Sequence, residues 1–218
     1  IAISLKLLAK NRVKIIGVQS DAAPSMKKSL EAEKPVSIEV RASIADGIIV
    51  KKPGELTYKI ISDLVDDIVV VSDREIARSI FLLLERSKTV VEGAGAAALA
   101  AILSGKVDVE GKKVVAIVSG GNIDLTLLSK IISRELATAK RIARLEGILP
   151  DTPGSLNKVL TTLGGLRVNI IDIVHDRLDP GLDPGYAKVI LTIELPSPET
   201  LDEVLGALEK NGYPFKTI

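Results

Sequence analysis

The chain has 218 residues, enough for one large core or two smaller ones. Its 29 Lys+Arg against 28 Asp+Glu leave a net charge of +1, and aromatics are only 2% of residues; both facts argue against a nucleic-acid or membrane-surface protein, which needs a basic stripe or stacking platforms. With no cysteine and one histidine, disulfides, thiolate metal sites, a cysteine nucleophile and a multi-histidine centre are excluded, a cytoplasmic setting is expected, and no apolar run reaches the ~18 residues of a membrane span.

The chain begins with IAISLKLLAK, an amphipathic helix already under way at Ile1 with no N-cap before it, so a natural beginning further upstream is expected. A short strand, RVKIIGVQS, ends in a turn, and SMKKSLEAEK reads as a solvated helix carrying Lys27 and Lys28. IADGIIVKKPGELTY reads as loop, strand and turn, with Gly47, Pro53 and Gly54 as punctuation. A helix (TYKIISDLV), a strand (DDIVVVSD) and a second helix (REIARSIFLLLERSK), capped by Ser72 or Asp73, follow. GAGAAALAAIL is a helix with almost no side chains on one side, a surface that lets another backbone or a flat ligand approach closely. Residues 114–118, VVAIV, read as a buried strand, and strands alternating with helices imply a mainly parallel sheet covered on both faces.

At the carboxyl end of that strand stand Ser119, Gly120, Gly121 and Asn122, the place where open α/β sheets bind ligands. On spacing alone the four residues fit an ordinary strand-to-helix turn with Asn122 as N-cap. That leaves Ser119 unexplained. The turn is neither a P-loop nor a G-x-G-x-x-G fingerprint.

The pattern changes near residue 140. KRIARLEGIL alternates like a half-buried strand, and helix, two strands, helix and a last short strand follow, a βαββαβ ferredoxin-like order over residues 141–218. The expected organisation is an α/β parallel-sheet lobe over 1–140 and a second domain over 141–218. In LPDTPGSL, Asp151 or Thr152 can cap a helix with Pro153 in its first turn. The free amides there could meet a carboxylate. His175 is expected at the surface.

VVAIVSGGNIDLTLLSKII closely resembles the cofactor-binding segment of threonine dehydratases and serine racemases, which are fold-type II enzymes using pyridoxal 5'-phosphate. IIGVQS, SIADGIIV and VVEGAGAAALAAIL agree in order, and the tail resembles an ACT domain. The resemblance implies that the Ser119 hydroxyl hydrogen-bonds the pyridine nitrogen, within a turn completed by Gly120, Gly121 and Asn122. It implies that Glu92, Asp46 and Gly47 lie beside the ring, although a helix-terminal carboxylate and a plain turn explain those three as well. It further implies an amino-acid effector at Asp151, Gly154, Ser155 and Leu156, with Asn169 from the facing strand, and a homo-oligomer. In the family a divalent cation is often held near the end of the IIGVQS strand by a glutamate and an aspartate. Here Gln19 and Ser25 stand in those places, and no metal is expected. The family's Schiff-base lysine and glycine-rich phosphate loop lie before this region and are not in the chain. The implied parent reaction is dehydration and deamination of L-threonine, or of L-serine, giving 2-oxobutanoate and ammonia from threonine. The implied role of this chain is that of a C-terminal portion without activity of its own. The competing readings are an amino-acid-sensing ACT module over residues 141–218 without catalysis of its own, and a structural domain pair with an empty glycine turn.

Overall fold

The computed structural model describes residues 1–8 and 12–218. The chain divides into two compact units, Ile1–Ile131 and Ile132–Ile218. The first holds α1 (Ala2–Leu8), β1 (Ile16–Ser20), α2 (Ser25–Glu31), α3 (Glu55–Leu64), β2 (Asp67–Val71), α4 (Asp73–Leu82) and α5 (Gly93–Leu103), and α6 (Leu125–Thr138) spans the division. The expected first helix is seen to Leu8, and its last two residues lie outside the described ones. No helix among the described residues is long and apolar enough to cross a membrane.

Strands β1 and β2 pair in parallel, from Ile16 opposite Asp67 to Ser20 opposite Val71. The core beside them is built from Val71, Ile76, Ile80, Val91, four alanines of α5 and Ile131. Alanine dominates because α4 and α5 approach closely; the Ser79 hydroxyl of α4 donates to the Ala96 carbonyl at 3.1 Å. Ser72, not Asp73, caps α4. Its Oγ accepts from the Glu75 N–H, and its own N–H donates to Glu75 Oε2 at 2.6 Å, forming a capping box. Ser72→Ala should cost about 1 kcal/mol in a denaturant melt, and an unchanged midpoint would deny the cap its role.

Lys106 also reaches Glu75 Oε2, at 2.9 Å. Burial pushes the Glu75 carboxyl up, but the Ser72 N–H, the Lys106 ammonium and the Ser72 hydroxyl together outweigh it and leave the group below its ordinary value. A depressed carboxyl contributes stability that is present above the unfolded value and lost as pH falls through the folded one. The first unit should therefore weaken as the medium is acidified below the ordinary glutamate range. Glu75→Gln should flatten that part of the pH–stability curve, and an equally steep curve in the variant would assign the acid loss elsewhere.

Two expected strands are absent. Residues 49–54 form none and follow a single 3-10 turn, Asp46–Ile48. Residues 114–118 run without a sheet partner, with Val115 88% exposed. Five apolar residues in a row are compatible with a strand, but a strand exists only where a neighbour supplies the ladder, and the described residues supply none.

The second unit follows the expected order: β3 (Ile142–Pro150), α7 (Ser155–Gly165), β4 (Asn169–Asp176), β5 (Tyr186–Glu194), α8 (Thr200–Lys210) and β6 (Phe215–Thr217). The sheet runs β4-β5-β3-β6, and its three pairings are antiparallel. Alternate residues of β3 and β5 are buried, Leu145 and Leu149 on one, Val189, Leu191 and Ile193 on the other. They share a core with Val159 and Leu163 of α7 and Val204 and Leu208 of α8. The period of two that announces these strands in the sequence is thus the burial of one sheet face under two helices.

Candidate functional site

The glycines at the start of α5 decide what lies around it. A side-chain carbon at Gly93 would sit 2.0 Å from the Ile44 carbonyl oxygen, and one at Gly95 would sit 1.5 Å from that of Ser119. Two separate segments, the loop 43–47 and the turn 119–122, therefore rest directly on the first turn of α5. The bare surface legible in the sequence serves the approach of backbone.

Glu92, the residue before α5, ties the turn down. Its N–H donates to the Gly120 carbonyl at 3.2 Å, and its carboxylate oxygen Oε2 accepts the Asn122 N–H at 3.2 Å. Gly120 has φ +71, which favours glycine, and a Cβ there would lie 2.2 Å from the Glu92 carboxyl carbon and displace that carboxylate. Asn122 does not cap the next helix. Asp124 does: its Oδ1 accepts the Leu127 N–H at 2.9 Å. The Thr126 hydroxyl, and then the Leu127 N–H, hold the Asp124 carboxyl below its ordinary value. The Asn122 N–H instead donates to Glu92, a contact across 30 residues that local spacing does not reveal. Ser119 is exposed at the head of the turn.

Asp46 and Gly47 form the other rim. The Gly47 N–H donates to Asp46 Oδ1 at 2.8 Å, and a Cβ at Gly47 would meet the Ala94 methyl at 3.2 Å. Ser119, Gly120, Gly121, Asn122, Glu92, Asp46 and Gly47 are thus grouped around one helix end. An exposed hydroxyl donor beside a carboxylate held in a tight turn suits the edge of a flat, polar aromatic group. Lys27 and Lys28 stand on α2, the Lys27 side chain half-buried and the Lys28 side chain exposed. Gln19 closes the turn between β1 and α2 with its own amide, accepting the Lys27 N–H at 2.9 Å and donating to the Ala23 carbonyl at 3.4 Å. Ser25 is buried, and its hydroxyl has no partner among the described residues.

The second unit carries a cavity of about 430 Å³ lined by Leu149, Asp151, Ser155, Leu156, His175 and Arg177, among others. Neither Asp151 nor Thr152 caps α7. Gly154 holds that position with φ 94, Asp151 pairs with Arg177 at 3.0 Å, and the Thr152 and Ser155 hydroxyls bond each other at 2.9 Å. Sequence reasoning missed Arg177 and gave His175 no role at the cavity; the signal was that β3 and β4 run parallel, which brings the end of β4 beside the end of β3. For the same reason Asn169, at the start of β4, stands roughly 20 Å from this cavity along the strand and pairs with Glu194 instead.

Residues 1–120 match the pyridoxal-phosphate dependent enzyme family, and residues 144–212 match the ACT domain. L-threonine ammonia-lyase of Thermotoga maritima is 39% identical over 206 residues, covering 94% of this chain and 51% of the relative. The enzyme of the same name from Geobacter sulfurreducens is 44% identical over 201 residues, 92% of this chain and 50% of the relative. The processed form of threonine deaminase isoform 2 from Solanum lycopersicum superposes with a TM-score of 0.55 at 33% identity, covering 63% of this chain and 38% of that one. The chain spans about half the length of the curated relatives it matches. The family match runs through more than half of the residues and ends on the Ser119–Gly120 turn that Glu92 and Gly95 hold: the chain belongs to the pyridoxal-phosphate dependent enzyme family.

Proposed function

We propose that this chain forms the ring-nitrogen side of the cofactor site of an L-threonine ammonia-lyase, with a regulatory ACT domain over residues 141–218. The observation that carries the reading is the turn 119–122, clamped through its backbone between Glu92 and the glycines of α5, with the Ser119 side chain exposed at its head. Bound there, pyridoxal phosphate supplies the electron sink for loss of the α-proton and the β-hydroxyl of the amino acid. Ser119 would donate to the ring nitrogen and leave it neutral. Gly120 and Gly121 let the turn pack against Glu92 and the Val90 carbonyl. Glu92 keeps the turn from moving, and it and the loop at Asp46 and Gly47 would border the ring. The lysine that abstracts the proton comes from a segment outside the 218 residues.

The test is functional complementation. The chain alone, given pyridoxal phosphate and L-threonine, should release no 2-oxobutanoate. Co-folded with the first half of the Thermotoga maritima relative, it should do so. Turnover by the chain alone would place the catalytic lysine within it, and no turnover in any combination would end the reading.

The ACT unit takes a free amino acid at the 430 Å³ cavity, where the first amides of α7 face a carboxylate and Leu149 and Leu156 supply apolar wall. It also pairs with a second copy. Strand β4 is a sheet edge bonded only to β5, and Ile148, Ile171, Val174 and Tyr186 of this sheet are all exposed. Sedimentation of the chain at micromolar concentration should show a dimer, and Val174→Lys should return it to monomer. A wild-type monomer at high concentration would contradict the pairing.

A further inference from the structure

The loop 43–47 is held by Asp73, a residue that the sequence offers only as a helix cap. Asp73 is the first residue of α4, and its two carboxylate oxygens are divided between two donors of the loop. Oδ1 accepts the Ser43 hydroxyl at 2.5 Å, and Oδ2 accepts the Ile44 N–H at 3.1 Å. The Ser43 proton is thereby committed. The contact between the Ser20 and Ser43 hydroxyls, at 3.3 Å, must then run from Ser20 to Ser43. Ser20 is fully buried at the end of β1 and accepts the Ala22 N–H at 3.1 Å. Ser43 Oγ accepts the Ala45 N–H as well, at 3.1 Å. The result is a one-way chain of donors, Ser20 to Ser43 to Asp73, which ends on a carboxylate and engages three backbone amides on the way.

We propose that Asp73 is a positioning residue: as the acceptor that terminates this chain, it sets the conformation of loop 43–47 against the first turn of α5, and with it the placement of Asp46 and Gly47. The functional half of this statement rests on the reading of those two residues as part of the cofactor site. The polarity of the network makes the proposal specific. Every group that faces Asp73 from the loop is a donor, so both of its oxygens must accept. An asparagine keeps the shape and one acceptor, but turns an NH₂ toward a donor. Serine at 43 is needed for its hydroxyl, so threonine should replace it and alanine should not.

Hydrogen exchange of backbone amides, read by NMR on the 218-residue chain, tests this without cofactor. In Asp73→Asn and Asp73→Ala the Ile44 and Ala45 amides should exchange about tenfold faster or more, the equivalent of one lost hydrogen bond to a charged group. The ladder amides of β1 and β2 should keep their rates. Ser43→Thr should keep the Ile44 rate and Ser43→Ala should not. Should the alanine variant at 73 unfold the unit, the asparagine variant decides. Wild-type exchange at Ile44 in the folded Asp73→Asn protein would overturn the proposal.

In the complemented enzyme, Asp73→Asn should lower kcat while KM for threonine moves little, with Ser43→Thr near wild type. A fall in kcat matched by Ser43→Thr, or a pure KM effect, would deny the positioning role. If the wild-type complemented enzyme shows no dependence on pyridoxal phosphate, the cofactor reading fails, and the exchange result still decides what holds the loop.

Discussion

Gly95→Ala will destabilise the first unit, although the same exchange inside a helix ordinarily stabilises it. Alanine gains about 0.5–1 kcal/mol over glycine in a helix interior. At Gly95 the new carbon would stand 1.5 Å from the Ser119 carbonyl oxygen and 2.6 Å from its carbon, both backbone atoms that cannot swing away. Overpacking of this kind costs about 1–3 kcal/mol and can cost more. The clash therefore wins, and relief comes by pushing the turn 119–122 off α5. Gly206→Ala in α8 is the internal comparison, because nothing lies within 4 Å of its added carbon. A thermal or urea melt should move down for Gly95→Ala and up slightly for Gly206→Ala. Equal upward shifts would mean that the turn does not rest on α5.

Ser119 variants in the complemented enzyme should separate by chemistry. Ser119→Thr keeps the hydroxyl and most of the activity. Ser119→Ala loses a hydrogen bond worth about 1 kcal/mol, more if the ring nitrogen is left buried and unpaired, so cofactor affinity should fall about fivefold or more. Ser119→Asp brings a carboxylate that favours the protonated ring, changes the absorption of the bound cofactor and slows elimination by altering the electron sink. The expected order of rates is threonine above alanine and aspartate. Full activity and unchanged spectra in both the alanine and aspartate variants would return residues 119–122 to a plain bend.

Much of this was legible in the sequence, for reasons tied to particular residues. The small residues of α5 announce close contact because only glycine and alanine leave room for a neighbouring backbone. The alternation in β3 and β5 announces a sheet with one covered face. Other features were hidden because they are settled by partners far along the chain. Asn122 and Asp124 are both good helix caps; Asp124 caps α6, and the Asn122 N–H is tied to Glu92, thirty residues earlier. The link between Ser43 and Asp73 also spans thirty residues and belongs to no periodic pattern. Residues 114–118 have the composition of a strand and lack a ladder among the described residues, which composition cannot report. At the ACT cavity, Arg177 and His175 come beside Asp151 only through the parallel alignment of β3 with β4, a fact of topology.

The most direct measurement is the protonation of the cofactor ring itself. Pyridoxal phosphate labelled with nitrogen-15 in the ring, bound to the complemented enzyme, reports by NMR whether that nitrogen carries a proton. With Ser119 donating, the signal should lie in the range of a neutral, hydrogen-bonded pyridine, move toward the unbonded position in Ser119→Ala, and jump to the protonated range in Ser119→Asp. One and the same signal in all three proteins would contradict the placement of Ser119 at the ring.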